Sequence, residues 1–150
     1  MAAVEPEMHW RTAKRAEIDT VLDALGRSSL QELATAQLSS DEARQIVKDA
    51  FDSEGGDAIL VAEEIVAILV WQAQDDGFST SFVSTDGFFA EGKKTVRFGI
   101  RYTRDLKARL GGVPMFAFSY STHARTRQWF KLIGYEIERI EGGLTVYVLR

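Results

Sequence analysis

The chain has 150 residues and no cysteine. That absence excludes disulfide scaffolds, thiolate zinc sites, iron–sulfur clusters and cysteine nucleophiles. Histidine is nearly as scarce. His9 and His123 stand alone, in neither an HxxxH nor an HxH spacing, so no metal site is expected. Long apolar runs are missing too: the longest, Ile65 to Trp71, is far short of the roughly 20 residues a spanning helix needs. The opening MAAVEPEMHW carries two acids and no apolar stretch, which is not the pattern of a secretory signal. No serine is framed as G-x-S-x-G, and Gly92-Lys93-Lys94-Thr95 lacks the earlier glycine of a Walker loop.

What is present is a globular mixture, 45% hydrophobic and 27% charged, expected to form a single domain over residues 1–150. The net charge of -4 is unevenly spread. From Lys93 to Lys131 there are ten basic residues against one acid, Asp105, so this segment is +9 and the remainder -13. A split of that size suggests a basic face for an anionic partner along 93–110, or a solvated helix surface.

The first half reads as helices. Ile18, Val21, Leu22 and Leu25 follow Thr12 at helical spacing, and Gly26 is the expected stop. A shorter segment begins at Ser29. Ser39 and Glu42 form a capping-box signature ahead of the apolar face Ala43, Ile46, Val47, Ala50 and Phe51. Short β-branched runs then give a hairpin, 58–62 with 65–72, and a third strand, 78–85. After a loop at 86–92, Phe98, Tyr102, Leu106 and Leu110 mark one face of a helix, and Lys93, Arg97, Arg101 and Arg104 another. A strand at 114–121 and a helix at 122–133 follow. The chain then closes with a hairpin turned at Gly142-Gly143. The order is β-α-α-α-β-β-β-α-β-α-β-β, an α/β or α+β arrangement with helices on a mixed, mostly antiparallel sheet.

This order, with the opening Trp10-Arg11-Thr12-Ala13 and the late stretch from His123 to Tyr135 that ends in a Gly-aromatic pair, resembles the GNAT acetyltransferase fold. The phrases Phe82-Val83-Ser84-Thr85-Asp86, Gly92-Lys93-Lys94, Tyr102-Thr103-Arg104-Asp105 and Phe130-Lys131-Leu132-Ile133-Gly134 further resemble the internal virion protein A family of short-tailed bacteriophages.

The GNAT resemblance implies a coenzyme A pyrophosphate site in the loop before the basic helix, made of backbone N–H groups and a helix dipole. Here that loop, Phe88 to Thr95, has one glycine, Gly92, and carries Glu91 beside the expected phosphates. The resemblance also implies a tyrosine acid in the late helix, and that position falls on Phe130, which has no hydroxyl. His123, Tyr120 and Asp86 remain for proton transfer, with Glu63 and Glu64 in a turn.

The reading is therefore a virion-associated or assembly protein on a degenerate GNAT fold. It would need no cofactor, partner other phage virion proteins, and reside in the virion or host cytoplasm. The alternative is an active N-acetyltransferase using acetyl-CoA. There the amides of Gly92 to Thr95, with Lys93, Lys94 and Arg97, hold the pyrophosphate, and His123, Tyr120 or Asp86 moves protons.

Overall fold

A computed structural model describes residues 7–121 and 123–150. The start of the opening segment, through residue 6, and Thr122 ahead of the late helix lie outside the described residues. The elements run β1 Met8–Thr12, α1 Arg15–Leu22, α2 Arg27–Thr35, α3 Ser40–Ser53, β2 Gly56–Val61, β3 Glu64–Gln74 and β4 Gly77–Ser84. They continue with α4 Asp86–Phe89, α5 Lys93–Arg109, β5 Met115–Ser119, α6 Ala124–Leu132, β6 Glu136–Glu141 and β7 Leu144–Leu149. Seven strands form one sheet in the order β1-β2-β3-β4-β5-β7-β6, with every neighbouring pair antiparallel except β4–β5.

Strand alternation sends side chains to two cores. Ala58, Leu60, Ile68, Val70 and Val83 meet Ile18, Val21 and Leu22 of α1 and Val47 and Ala50 of α3 on one face. Ile59, Ala67 and Trp71 meet Phe98, Tyr102 and Leu106 of α5 on the other. The expected apolar stripe of α5 is thus its buried face, and Lys93, Arg97, Arg101 and Arg104 are exposed. The capping box of α3 forms as expected: Ser39 Oγ accepts from the Glu42 amide at 3.1 Å, and the Glu42 carboxylate accepts from the Ser39 amide at 3.1 Å. Such a cap stabilises by about 1 kcal/mol.

Two expectations need correction. Gly26 does not close the first helix, which ends at Leu22; it caps the start of α2 instead. The cap acceptor comes from far along the chain, because the Asp86 carboxylate takes the Arg27 amide at 2.9 Å. A side chain on Gly26 would collide with the Asp86 backbone 2.6 Å away, so glycine is required for this docking. The loop at 86–92 is also not plain loop, since its first residues form α4, capped by Thr85 Oγ1 accepting from the Gly87 amide at 3.2 Å. The corner is held by a bulge in β3. Pairing steps from Ile59↔Ala67 to Leu60↔Ile65, which leaves Val66 as an extra residue, and its carbonyl accepts the Thr85 amide at 2.9 Å.

Candidate ligand groove and strand gap

β4 and β5 pair only from Phe78–Thr80 against Met115–Ala117, although β4 runs on to Ser84 and β5 to Ser119. The ladder therefore stops halfway and leaves a gap with backbone groups on both edges. The Phe78 amide donates to Pro114 at 3.0 Å, so by the two-residue period the Thr80, Phe82 and Ser84 peptides also face β5.

Helix α2 fills part of this gap with polar groups spaced i, i+3, i+6. The Gly26 amide donates to the Ser84 carbonyl at 2.9 Å, and the Ser84 amide donates to Ser29 Oγ at 3.1 Å. On the opposite strand, Glu32 Oε1 accepts from Ser119 Oγ at 2.6 Å, from the Tyr120 amide at 2.9 Å and from the Ser121 amide at 3.2 Å. One short helix thus holds two separated strands.

Two cavities meet at this place. An inner chamber of about 80 Å³ lies within the gap. Phe82, Phe88, Phe98 and Ala117 give it apolar walls, and Ser29, Glu32, Thr80 and Ser119 add polar groups. An outer groove of about 980 Å³ lies between α2, the start of α5 and α6. Arg27, Lys93 and Arg125 line it. Asp86 is the acid among its walls, with Oδ1 engaged by the Arg27 amide. Gly92 caps α5 at φ +59°, with nothing within 4 Å of where a Cβ would stand. The expected cradle of free amides from Gly92 to Thr95 does not form, because the Gly92, Lys94 and Thr95 amides donate to the Phe89, Glu91 and Gly92 carbonyls at 3.3, 3.3 and 3.0 Å in the tight turns that start the helix. Three cations and the positive end of a helix dipole converge on one groove. That field favours an anion.

Among the residues singled out in the sequence, Gly92, Lys93, Thr95, Asp86 and His123 line this groove together. Lys94 is half-buried and lies 3.8 Å from the Glu91 carboxylate. Arg97 and Tyr120 line neither cavity, and the Tyr120 ring lies against the Gly143 turn. His123 caps α6, its Nδ1 accepting the Arg125 amide at 3.1 Å, which puts the neutral ring's proton on Nε2. Phe130 stacks on Tyr147 with ring centroids 4.1 Å apart and meets Tyr135 edge-on at 5.3 Å.

Some site residues were missed in the sequence: Ser29, Glu32, Trp129 and Tyr135 all line the inner chamber. Tyr135, directly after Gly134, brings a phenol to the chamber wall, and burial pushes its pKa well up, so it stays protonated. The Ser29–Glu32 spacing is the only local signal for the α2 pair. A Glu on a short amphipathic helix otherwise reads as solvated surface.

No family model and no curated protein matches the chain. Solved structures do. The chain is similar to a GNAT-family acetyltransferase from Bacillus anthracis at 11% identity, with a TM-score of 0.66 over 97% of this chain and 95% of that one. It is similar to the PaiA N-acetyltransferase of Thermoplasma acidophilum, solved with coenzyme A, at 9% identity and a TM-score of 0.69 over 96% and 99%. A third match is YncA, described as an acetyltransferase of Salmonella typhimurium and solved with acetyl-CoA. It is 16% identical, with a TM-score of 0.59 over 95% and 93%. The fold is the GNAT fold. The resemblance to phage internal virion proteins finds no support in these comparisons.

The inner chamber lies where the β4–β5 ladder is interrupted. Among the described residues, no cluster of His, Asp and Glu is arranged to hold a metal. No helix of the described residues is long and apolar enough to cross a membrane.

Proposed function

We propose that this chain is an acyl-CoA-dependent N-acyltransferase. The outer groove holds the anionic end of the coenzyme, and the inner chamber receives its thioester arm. The observation that carries this reading is the convergence of Arg27, Lys93, Arg125 and the α5 N-terminus on a groove that adjoins the strand gap. The space at Gly92 leaves room for a phosphate beside Lys93, whose charge and not a cradle of amides would hold it. When bound, the coenzyme supplies an acyl group activated as a thioester. The chain's own part is to bind the phosphates with Lys93 and Arg125, to exclude water with the aromatic chamber walls, and to orient the arm along β4.

Proton transfer is the weaker half of the apparatus. Asp86 and His123 are engaged as caps, and Phe130 has no hydroxyl. Tyr135 is the phenol on the chamber wall, and its raised pKa makes it a reluctant donor. These same facts favour a second reading, in which the fold binds the coenzyme without transferring its acyl group, as a scaffold or assembly protein. Its residence in a phage particle rests on phrase-level resemblance alone.

Calorimetry with acetyl-CoA tests the first reading. One-to-one binding to the wild type is expected. Lys93→Glu with Arg125→Glu is expected to weaken it about 100-fold, from roughly 1.5 kcal/mol for each charge-assisted contact. Wild-type affinity in that variant would remove the groove from the argument, and no wild-type binding would remove the coenzyme. Release of free coenzyme thiol in the presence of amines then separates the enzyme from the scaffold.

A further inference from the structure

Four residues, Ser28, Phe89, Thr126 and Trp129, line both the outer groove and the inner chamber, so they form the wall between them. Trp129 is the largest. Its indole is packed by Phe82, Phe88 and Phe89, with centroids 6.5, 6.1 and 6.4 Å away. Its Cζ2 edge sits over Gly99 of α5, where a Cβ would lie only 3.3 Å from it. Glycine here makes room for Ile133, whose Cγ2 a Cβ would meet at 2.8 Å, and for the ring edge beside it.

The indole Nε1 is fully buried and has no hydrogen-bond partner, alone among side-chain atoms of the described residues. Leaving such a donor unpaired is costly, and native structures rarely do it without a reason at a ligand or solvent site. No residue within α6 is fully buried, and the helix is held otherwise by Phe130 stacked on Tyr147 and by the buried Ile133 at its C-terminal cap. A large ring thus stands between groove and chamber at the expense of its own hydrogen bond.

We infer that Trp129 is the movable partition between groove and chamber, and that its indole N–H donates to a carbonyl oxygen of the coenzyme's amide-bearing arm once the arm has passed. This rests on the proposed reading of the groove as a coenzyme site. In the closed position the ring edge lies over Gly99 and the N–H is unpaired. In the liganded position the ring shifts aside, the passage opens, and the arm's carbonyl satisfies the donor. Trp129 is on this view a positioning residue that selects for ligands carrying the arm.

The test uses the full chain and two ligands: coenzyme A, and 3′-phospho-ADP, which is the same molecule without its pantetheine arm. Trp129→Phe keeps an aromatic ring and removes the donor. It is expected to weaken coenzyme A about tenfold, the equivalent of one hydrogen bond of about 1.4 kcal/mol, and to leave 3′-phospho-ADP unchanged. Equal loss for both ligands, or no loss for either, overturns the inference. The wild type gives a second readout. The indole N–H resonance of Trp129, assigned by its absence in Trp129→Phe, is expected to move downfield with coenzyme A and to stay in place with 3′-phospho-ADP. A resonance unmoved at saturating coenzyme A also overturns it. Failure of the wild type to bind either ligand instead refutes the coenzyme reading, so the two failures are told apart.

Discussion

Asp57 ties β2 to α5 from inside the protein, with 1% of its surface exposed. Its Oδ2 accepts the Tyr102 hydroxyl at 2.8 Å and Arg109 Nη2 at 2.7 Å, and its Oδ1 lies 3.4 Å from Arg109 Nη1. Arg109 also bonds Asp105 at 2.7 Å and lies 5.7 Å above the Trp71 ring. Asp57→Ala removes both partners' acceptor, with unequal consequences. Arg109 is 38% exposed and keeps Asp105, so its share is small. The Tyr102 hydroxyl is stranded in the core, at about 1–3 kcal/mol, and the screened bond to Arg109 adds about 0.5–1 kcal/mol. A total of about 1.5–4 kcal/mol follows. For a chain of this size that lowers the melting temperature by roughly 3–16 °C. Urea unfolding followed by circular dichroism reads the free energy directly. Adding Tyr102→Phe should recover about 1–2 kcal/mol, because no hydroxyl is then left unpaired. A single-variant loss below about 1 kcal/mol, or a double variant no better than the sum of the singles, would refute the reasoning.

Three further outcomes are expected. Gly92→Ala forces an L side chain into φ +59° with ψ -123°, so it should cost about 1–3 kcal/mol in a denaturant melt and weaken acetyl-CoA binding together with it. Glu32→Ala takes the acceptor from Ser119 Oγ and the Tyr120 amide, while the Ser121 amide keeps Ser119 Oγ at 3.2 Å; a loss of about 1–3 kcal/mol is expected, with faster amide exchange at Tyr120. The bond from Arg11 holds the Glu17 carboxyl below its ordinary 4.5, and Lys48 followed by Arg44 holds Asp19 below 3.8. Because the folded values are the lower ones, this stabilisation is complete above the ordinary values and is lost as pH falls below them through the folded values. Melting temperature should therefore drop on acidification below pH 4.5, and Glu17→Gln with Asp19→Asn should flatten that drop.

The features legible in the sequence were those encoded within one turn or one hairpin. Ser39 and Glu42 cap α3 because they are three residues apart, and Phe98, Tyr102 and Leu106 share a buried face because helical spacing puts them there. The Gly142-Gly143 turn pairs β6 with β7 for an equally local reason. The order of these elements was enough to suggest the GNAT fold, and Gly92, Lys93 and Thr95 were visible as a phosphate-loop candidate before their groove was. What only the tertiary structure decided was set by contacts between distant segments. The Asp86 carboxylate that caps α2 acts across 59 residues, and the Glu32 carboxylate reaches Ser119 across 87. The halt of the β4–β5 ladder after Thr80 has no local mark, since Ser81 to Ser84 is as good a strand as the residues before it. Nor does Trp129, whose aromatic ring in an amphipathic helix reads as ordinary core until its unpaired N–H and the room at Gly99 are seen together. Propensity and periodicity act through neighbours in the chain, whereas a gap, a groove and a buried donor exist only where separate elements meet.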